Sequence, residues 1–138
     1  MMDTIEFKAP KVNITLLVLR VGIGLLMLGH GIPKIHMLIS GDIQFPSVMG
    51  MSPTISLALA VFSEVVCSIL LLIGLLTRYA AIPLILTMLT AVLVIHGDDP
   101  FAKQELGILY LIVYSALFML GSGKFSFDAI LKSYRTSN

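Results

Sequence analysis

The sequence has one cysteine, Cys67, in 138 residues. That excludes an intramolecular disulfide framework, a Cys-ligated zinc finger and an internal Cys-x-x-Cys redox pair. Charge is also scarce. Asp, Glu, Lys and Arg make up 12% of the chain, nine basic against eight acidic for a formal net charge of +1, where average soluble domains carry about 25% charged residues. With no basic excess to neutralise phosphates, nucleic acid is not an expected partner. Half the ordinary charge cannot cover the surface of a water-soluble protein of single-domain length. The chain is instead 57% hydrophobic, with a mean hydropathy of +0.99. This is the composition of an integral membrane protein whose main partner is the lipid bilayer.

Apolar runs cover Val12–Ile32 (21 residues), Ile55–Leu76 (22) and Tyr79–Ile95 (17). A fourth, with a turn borrowed from Lys103–Glu105, covers residues 104–121. Crossing a hydrocarbon core of about 30 Å takes roughly 17–25 helical residues. Strand alternation is absent, and a single-chain barrel needs about eight or more strands. In lipid the backbone must satisfy its own hydrogen bonds, which helices do. The expected fold is therefore all-α, an integral membrane four-helix bundle with tails at residues 1–11 and 122–138.

The breakers mark the same limits. Pro33 is expected to close the first span, and Pro83 to fall in the first turn or so of the third. The loop Pro33–Thr54 is long for a compact bundle, long enough to carry function or a short interfacial helix. Lys8, Lys11, Arg78, Lys124, Lys132 and Arg135 fall on one side of this topology, against Lys34 and Lys103 on the other. The positive-inside rule then places both termini in the cytoplasm. The first span is too long for a signal peptide, contains an arginine and lacks a small-x-small cleavage site, so it reads as a retained helix.

Two charges lie inside spans, Arg20 and Glu64, and a charge at a span centre costs at least about 2.5–3.5 kcal/mol. Measured from the span midpoints they are about 5 Å apart along the axis, which makes an Arg20–Glu64 ion pair feasible. Such a pair either fixes helix register or handles protons, since a carboxyl in low dielectric can have a raised pKa. Helical spacing from Arg20 passes through Gly24, Met27, Gly31 and Lys34. From Glu64 it passes through Ala60, Cys67, Ser68 and Leu71. Stripes of small residues let membrane helices approach closely.

A second cluster gathers toward the opposite end. His30, Lys34, His96 and Glu105 are candidate ligand-binding residues there, with His36, Asp42, Asp98 and Asp99 nearby. Closure of the bundle would bring them into one polar pocket or leave them as a solvated rim. No metal-ligand spacing is present, so no metal site is expected. A haem between His30 and His96 is geometrically allowed but has no motif behind it. Gly22-Ile23-Gly24 and Gly121-Ser122-Gly123-Lys124 lack the further residues of nucleotide-binding loops.

The run LVLRVGIGLLMLGHGIPKI resembles the opening of DoxX-family membrane proteins, with an arginine in the first helix and an H-G-x-x-K signature. FSEVVCSILLLIGLLTRYAA continues the resemblance with a mid-helix glutamate and a G-L-x-T-R hairpin, and GSGKFSFD is similar to the family's closing pattern. The resemblance spans Leu16 to Asp128. It implies a four-helix bundle with both termini inside, and signature positions at Arg20, His30, Gly31, Lys34, Glu64, Arg78 and Asp128. Gly31, Arg78 and Asp128 are expected to be structural. Relatives in the family include a subunit of a thiosulfate:quinone oxidoreductase and membrane partners of redox-defence enzymes, while a family name alone does not establish an enzyme.

The leading expectation is a multi-pass protein of the cell inner membrane that is redox-associated and interacts with quinone as a subunit beside a membrane or peripheral oxidoreductase. The alternative is small-molecule transport, or a scaffold without chemistry. A homo-oligomer is left open.

Overall fold

The computed structural model describes residues 10–137. Most of the expected N-terminal tail, Lys8 included, lies outside the described residues. All regular structure among the described residues is helical. Four helices are long and apolar enough to cross a membrane: α1 (Pro10–Ser40), α2 (Pro53–Ile73), α3 (Thr77–Ile95) and α4 (Phe101–Leu120). A shorter helix, α5 (Phe127–Thr136), follows them. Consecutive helices pack side by side, α1 on α2, α2 on α3 and α3 on α4, and α4 closes back on α1. The outward faces carry large apolar side chains such as Val18, Leu26 and Ile112, each at least 60% exposed, as lipid-facing positions should be.

Several boundaries differ from the sequence expectation. Pro33 does not end the first span. It lies inside α1, which continues to Ser40. Proline removes the hydrogen bond to the carbonyl four residues back, but a membrane helix tolerates this where neighbouring groups hold the segment. Here Lys34, the next residue, is tied to α2. The remaining loop, residues 41–52, is irregular and contains no interfacial helix. Because α3 starts at Thr77, Pro83 falls in its second turn rather than its first. α5 lies within what was expected to be a plain tail.

Two glycines set the register of α1 against α2. A Cβ on Gly24 would sit 3.3 Å from Leu72 Cβ and from the Ser68 carbonyl oxygen. One on Gly31 would sit 2.6 Å from Val65 Cγ2 and 3.1 Å from the Glu64 backbone. Gly31 therefore faces Glu64, and Gly24 faces the end of α2. The first turns of α1 extend about 16 Å, or three turns, beyond the α2–α3 hairpin. The segment after α4 covers them: the Asn13 side-chain oxygen accepts from the Lys124 amide at 2.9 Å.

Two of the helices are not uniformly α. α2 widens into a π-helical turn at Phe62–Cys67, and α3 does so at Ala91–Ile95. Such turns mark functional sites more often than chance would place them.

Candidate functional site

The two buried charges do not meet. Arg20 is 1% exposed, and its Nη1 donates to the carbonyls of Leu71 and Leu72 at 3.1 Å each. Its Nη2 donates to the Phe125 carbonyl at 2.5 Å. The expected Arg20–Glu64 ion pair is absent because of register: with Gly31 opposite Glu64, Arg20 lies about 16 Å away along the axis, at 1.5 Å per residue. Leu71 and Leu72 belong to the last turn of α2; the Leu71 carbonyl also accepts from the Gly74 amide at 3.1 Å, whereas the Leu76 amide, four residues on from Leu72, donates to Asp128 instead. Arg20 supplies the Leu72 carbonyl with a donor in its place, and its charge matches the negative end of the helix dipole. Gly74 makes the arrangement possible. It takes a left-handed φ of 72° at the helix end, and a Cβ there would collide with Arg20 Nη1.

Arg78 and Asp128 do the same work at neighbouring helix ends. Asp128 accepts from the amides of Leu76 at 2.8 Å and Thr77 at 3.1 Å, the otherwise unpaired donors at the start of α3. Leu76 itself makes no side-chain cap. Arg78 Nη2 donates to the Met119 carbonyl in the last turn of α4 at 3.2 Å. This end of the molecule is stitched together by side chains that complete other segments' backbones.

Glu64 belongs to the opposite half. It is the twelfth of the 21 residues of α2 and lies in the π turn. Both its carboxylate oxygens accept from Lys34 Nζ at 2.6 Å. Glu64 is almost fully buried, while Lys34 keeps a quarter of its side chain exposed. Gly31 and Lys34 thus divide the labour of the H-G-x-x-K motif. The glycine admits the π turn of α2, and the lysine one turn later neutralises the carboxylate that the turn presents.

The pair lines a cavity of about 200 Å³ between the four spans. His30, His96, Tyr110, Lys103 and Gln104 supply the other polar walls, and Met27, Met88 and Val92 the apolar ones. The His30 ring meets Tyr110 edge-on, centroids 5.8 Å apart, and Tyr110 stacks on Tyr114 at 5.9 Å. Ala91 and Val92, from the π turn of α3, form one wall. Gly107 faces that wall, since a Cβ there would lie 2.7 Å from Val92 Cγ2. The two π turns thus put an irregularity in two of the helices around one chamber. Irregular backbone is tolerated in a membrane where it borders protein or a cavity.

At the mouth, His96 Nδ1 lies 2.7 Å from Asp99 Oδ2, and Lys103 Nζ lies 3.6 Å from Asp99 Oδ1. The hydrogen bond with His96, reinforced by the Lys103 charge, holds the Asp99 carboxyl below its ordinary range. Gln104 pins the loop by donating to the carbonyls of His96 at 2.7 Å and Asp99 at 3.2 Å. Phe45, from the irregular loop, lies over the Lys34 ammonium at 5.8 Å.

Of the four ligand-binding candidates, His30, Lys34 and His96 line this chamber, while Glu105 does not. One helical position turns a side chain by 100°, so with Gln104 and Gly107 facing inward, Glu105 faces out and is exposed. His36, Asp42 and Asp98 are likewise not among the lining residues. Tyr110, Lys103 and Gln104 were not singled out from the sequence. Gln104 and Tyr110 do lie on one α4 stripe with Gly107, which a close reading of spacing could have found.

Such a molecule is a multi-span helical membrane protein with a polar chamber in one half and a backbone-capping network in the other. The DoxX family profile matches residues 15–97, and the chain belongs to the DoxX family. The matched stretch ends at Gly97, so the closing GSGKFSFD segment and Asp128 lie beyond it. An uncharacterized protein of Haemophilus influenzae is 30% identical over 94 residues, covering 64% of this chain. The chain spans 62% of that relative's length. No solved structure matches.

Proposed function

We propose that this DoxX-family protein is a redox-associated membrane subunit whose chamber receives a quinone-type head group. The observation that carries the reading is the Lys34–Glu64 pair, bracketed by two imidazoles and a phenol, in an apolar-walled cavity at the middle of α2. At about 200 Å³ the cavity is smaller than the roughly 300–1,000 Å³ pockets of drug-sized ligands. It suits a single ring rather than a macrocycle such as haem. A quinone head group supplies reversible two-electron, two-proton chemistry, with electrons exchanged with a partner oxidoreductase.

The residues present fit that group. Lys34 and His30 are placed to donate hydrogen bonds to ring oxygens, and Met27, Met88 and Val92 offer apolar contact. Glu64 can hold or release a proton beside the ring, and His96, paired with Asp99, lines the same chamber. The excess of Lys and Arg on the stitched side supports an orientation with both termini cytoplasmic, in the inner membrane of the cell.

The test is direct. The full chain, purified in mild detergent, should carry quinone detectable in its lipid extract. It should also bind a short-tailed quinone analogue at least about tenfold more tightly than Glu64→Gln or His30→Ala, a difference of about 1.4 kcal/mol. If no quinone copurifies and the analogue binds wild type and variants alike, the redox reading fails. Solute uptake into proteoliposomes that is lost in the same variants would favour transport instead.

A further inference from the structure

α5 is built as an independent amphipathic helix. Ser126 Oγ accepts from the Ala129 amide at 3.2 Å as its N-cap, and Asp128 and Arg135 match the dipole at its two ends. Phe127, Ile130, Leu131 and Tyr134 recur at i, i+3, i+4 and i+7, a single apolar stripe. Yet no residue of α5 is buried. These four side chains are 49–70% exposed, a large apolar face that the bundle does not cover.

Two observations say what covers it. The first is height. Asp128, in the first turn of α5, is bonded to the first amides of α3, and its own amide donates to the Gly74 carbonyl at 2.9 Å. α2 and α3, with 21 and 19 residues, are just long enough to cross a hydrocarbon core of about 30 Å. Their hairpin therefore marks the edge of the hydrocarbon, and α5 begins at that level. The second is charge. Lys11, Arg78, Lys124, Lys132 and Arg135 lie at this end, and among the described residues the acid there is Asp128, whose oxygens are already held by two amides.

We propose that α5 is an interfacial helix. It lays its Phe127–Tyr134 stripe into the bilayer surface and turns Lys132 and Arg135, with Lys124 just before the helix, toward anionic phospholipid headgroups. Membrane insertion of the bundle and docking of α5 are then separate events, the second dependent on lipid charge.

The chain contains no tryptophan, so one introduced residue reports alone. Full-length Tyr134→Trp, Ile130→Trp and Thr136→Trp variants would be reconstituted into phosphatidylcholine vesicles with and without phosphatidylglycerol, using brominated acyl chains as quencher. The Tyr134 and Ile130 reporters should be quenched at least about twofold more than the Thr136 reporter on the opposite face. That difference should shrink without phosphatidylglycerol or in a K132Q/R135Q background. Equal quenching of all three reporters overturns the proposal, as does a difference indifferent to lipid charge. Shielding of the Tyr134 reporter from both brominated lipid and aqueous acrylamide would mean that protein covers the face, and would equally overturn it.

Discussion

Lys34 and Glu64 neutralise each other at a depth where either alone would be an isolated charge. Breaking a buried pair from one side costs about 3–5 kcal/mol, and removing both partners costs much less. Lys34→Met and Glu64→Gln should therefore each destabilise the protein strongly in denaturant titrations in detergent, while the double variant recovers most of the loss. Additive effects of the two changes would show that the pair is not coupled. Gly31→Ala should cost about 1–3 kcal/mol by overpacking, because its Cβ would press on Val65 and the Glu64 backbone. Gly29→Ala, with open space around its Cβ, should instead be neutral or stabilising by up to about 1 kcal/mol. The sequence made Glu64 visible as a residue that costs energy and Lys34 as a candidate ligand-binding residue beyond the first span, but not their pairing. Choosing between Arg20 and Lys34 as the partner of Glu64 required the helix register. That register depends on glycine contacts, and hydropathy does not reveal them.

Helix ends carry the other half of the design. Arg20→Gln should leave the Leu72 carbonyl at the end of α2 and the Phe125 carbonyl without this donor, at about 1–3 kcal/mol for each group that stays buried. Asp128→Ala should free the α3 amides for about 0.5–2 kcal/mol. Both should lower the thermal midpoint without altering ligand binding in the chamber, and loss of binding in Asp128→Ala would break this division between the two ends. At the mouth, the Asp99 carboxyl is held below its ordinary value of 3.8. A depressed carboxylate contributes stability above its unfolded pKa and loses it as pH falls through the folded one. Protection of the hydrogen-bonded His96 and Asp99 amides, taken relative to intrinsic exchange at each pH, should therefore hold from neutrality down to about pH 4 and fall only below that. The spans themselves were legible from apolar run length. The extension of α1 past Pro33 was not, because proline's preference for ending helices is local and the Lys34 tether is tertiary. α5 was missed because a ten-residue stretch with two basic residues resembles a tail unless its 3.6-residue period is sought.

In the whole molecule, the contact between Asn13 and Lys124 brings the start of α1 and the segment after α4 to the same end. A thiol reagent that cannot cross membranes should therefore reach Ser137→Cys, in a Cys67→Ser background, from the same side as a tag placed before Pro10. On the positive-inside reading that side is the cytoplasm. The small-residue stripes of α1 and α2 read from sequence are the faces buried here, so the bundle's seams were foreseeable even where its contents were not. The helices reach unequally far at this end. α1 rises about three turns above the α2–α3 hairpin, with Ile14 and Val18 exposed on its flank. Those turns stand above the hydrocarbon edge that the hairpin marks, at the level where α5 begins, so α1 flanks the interface on one side of the bundle as α5 does on another.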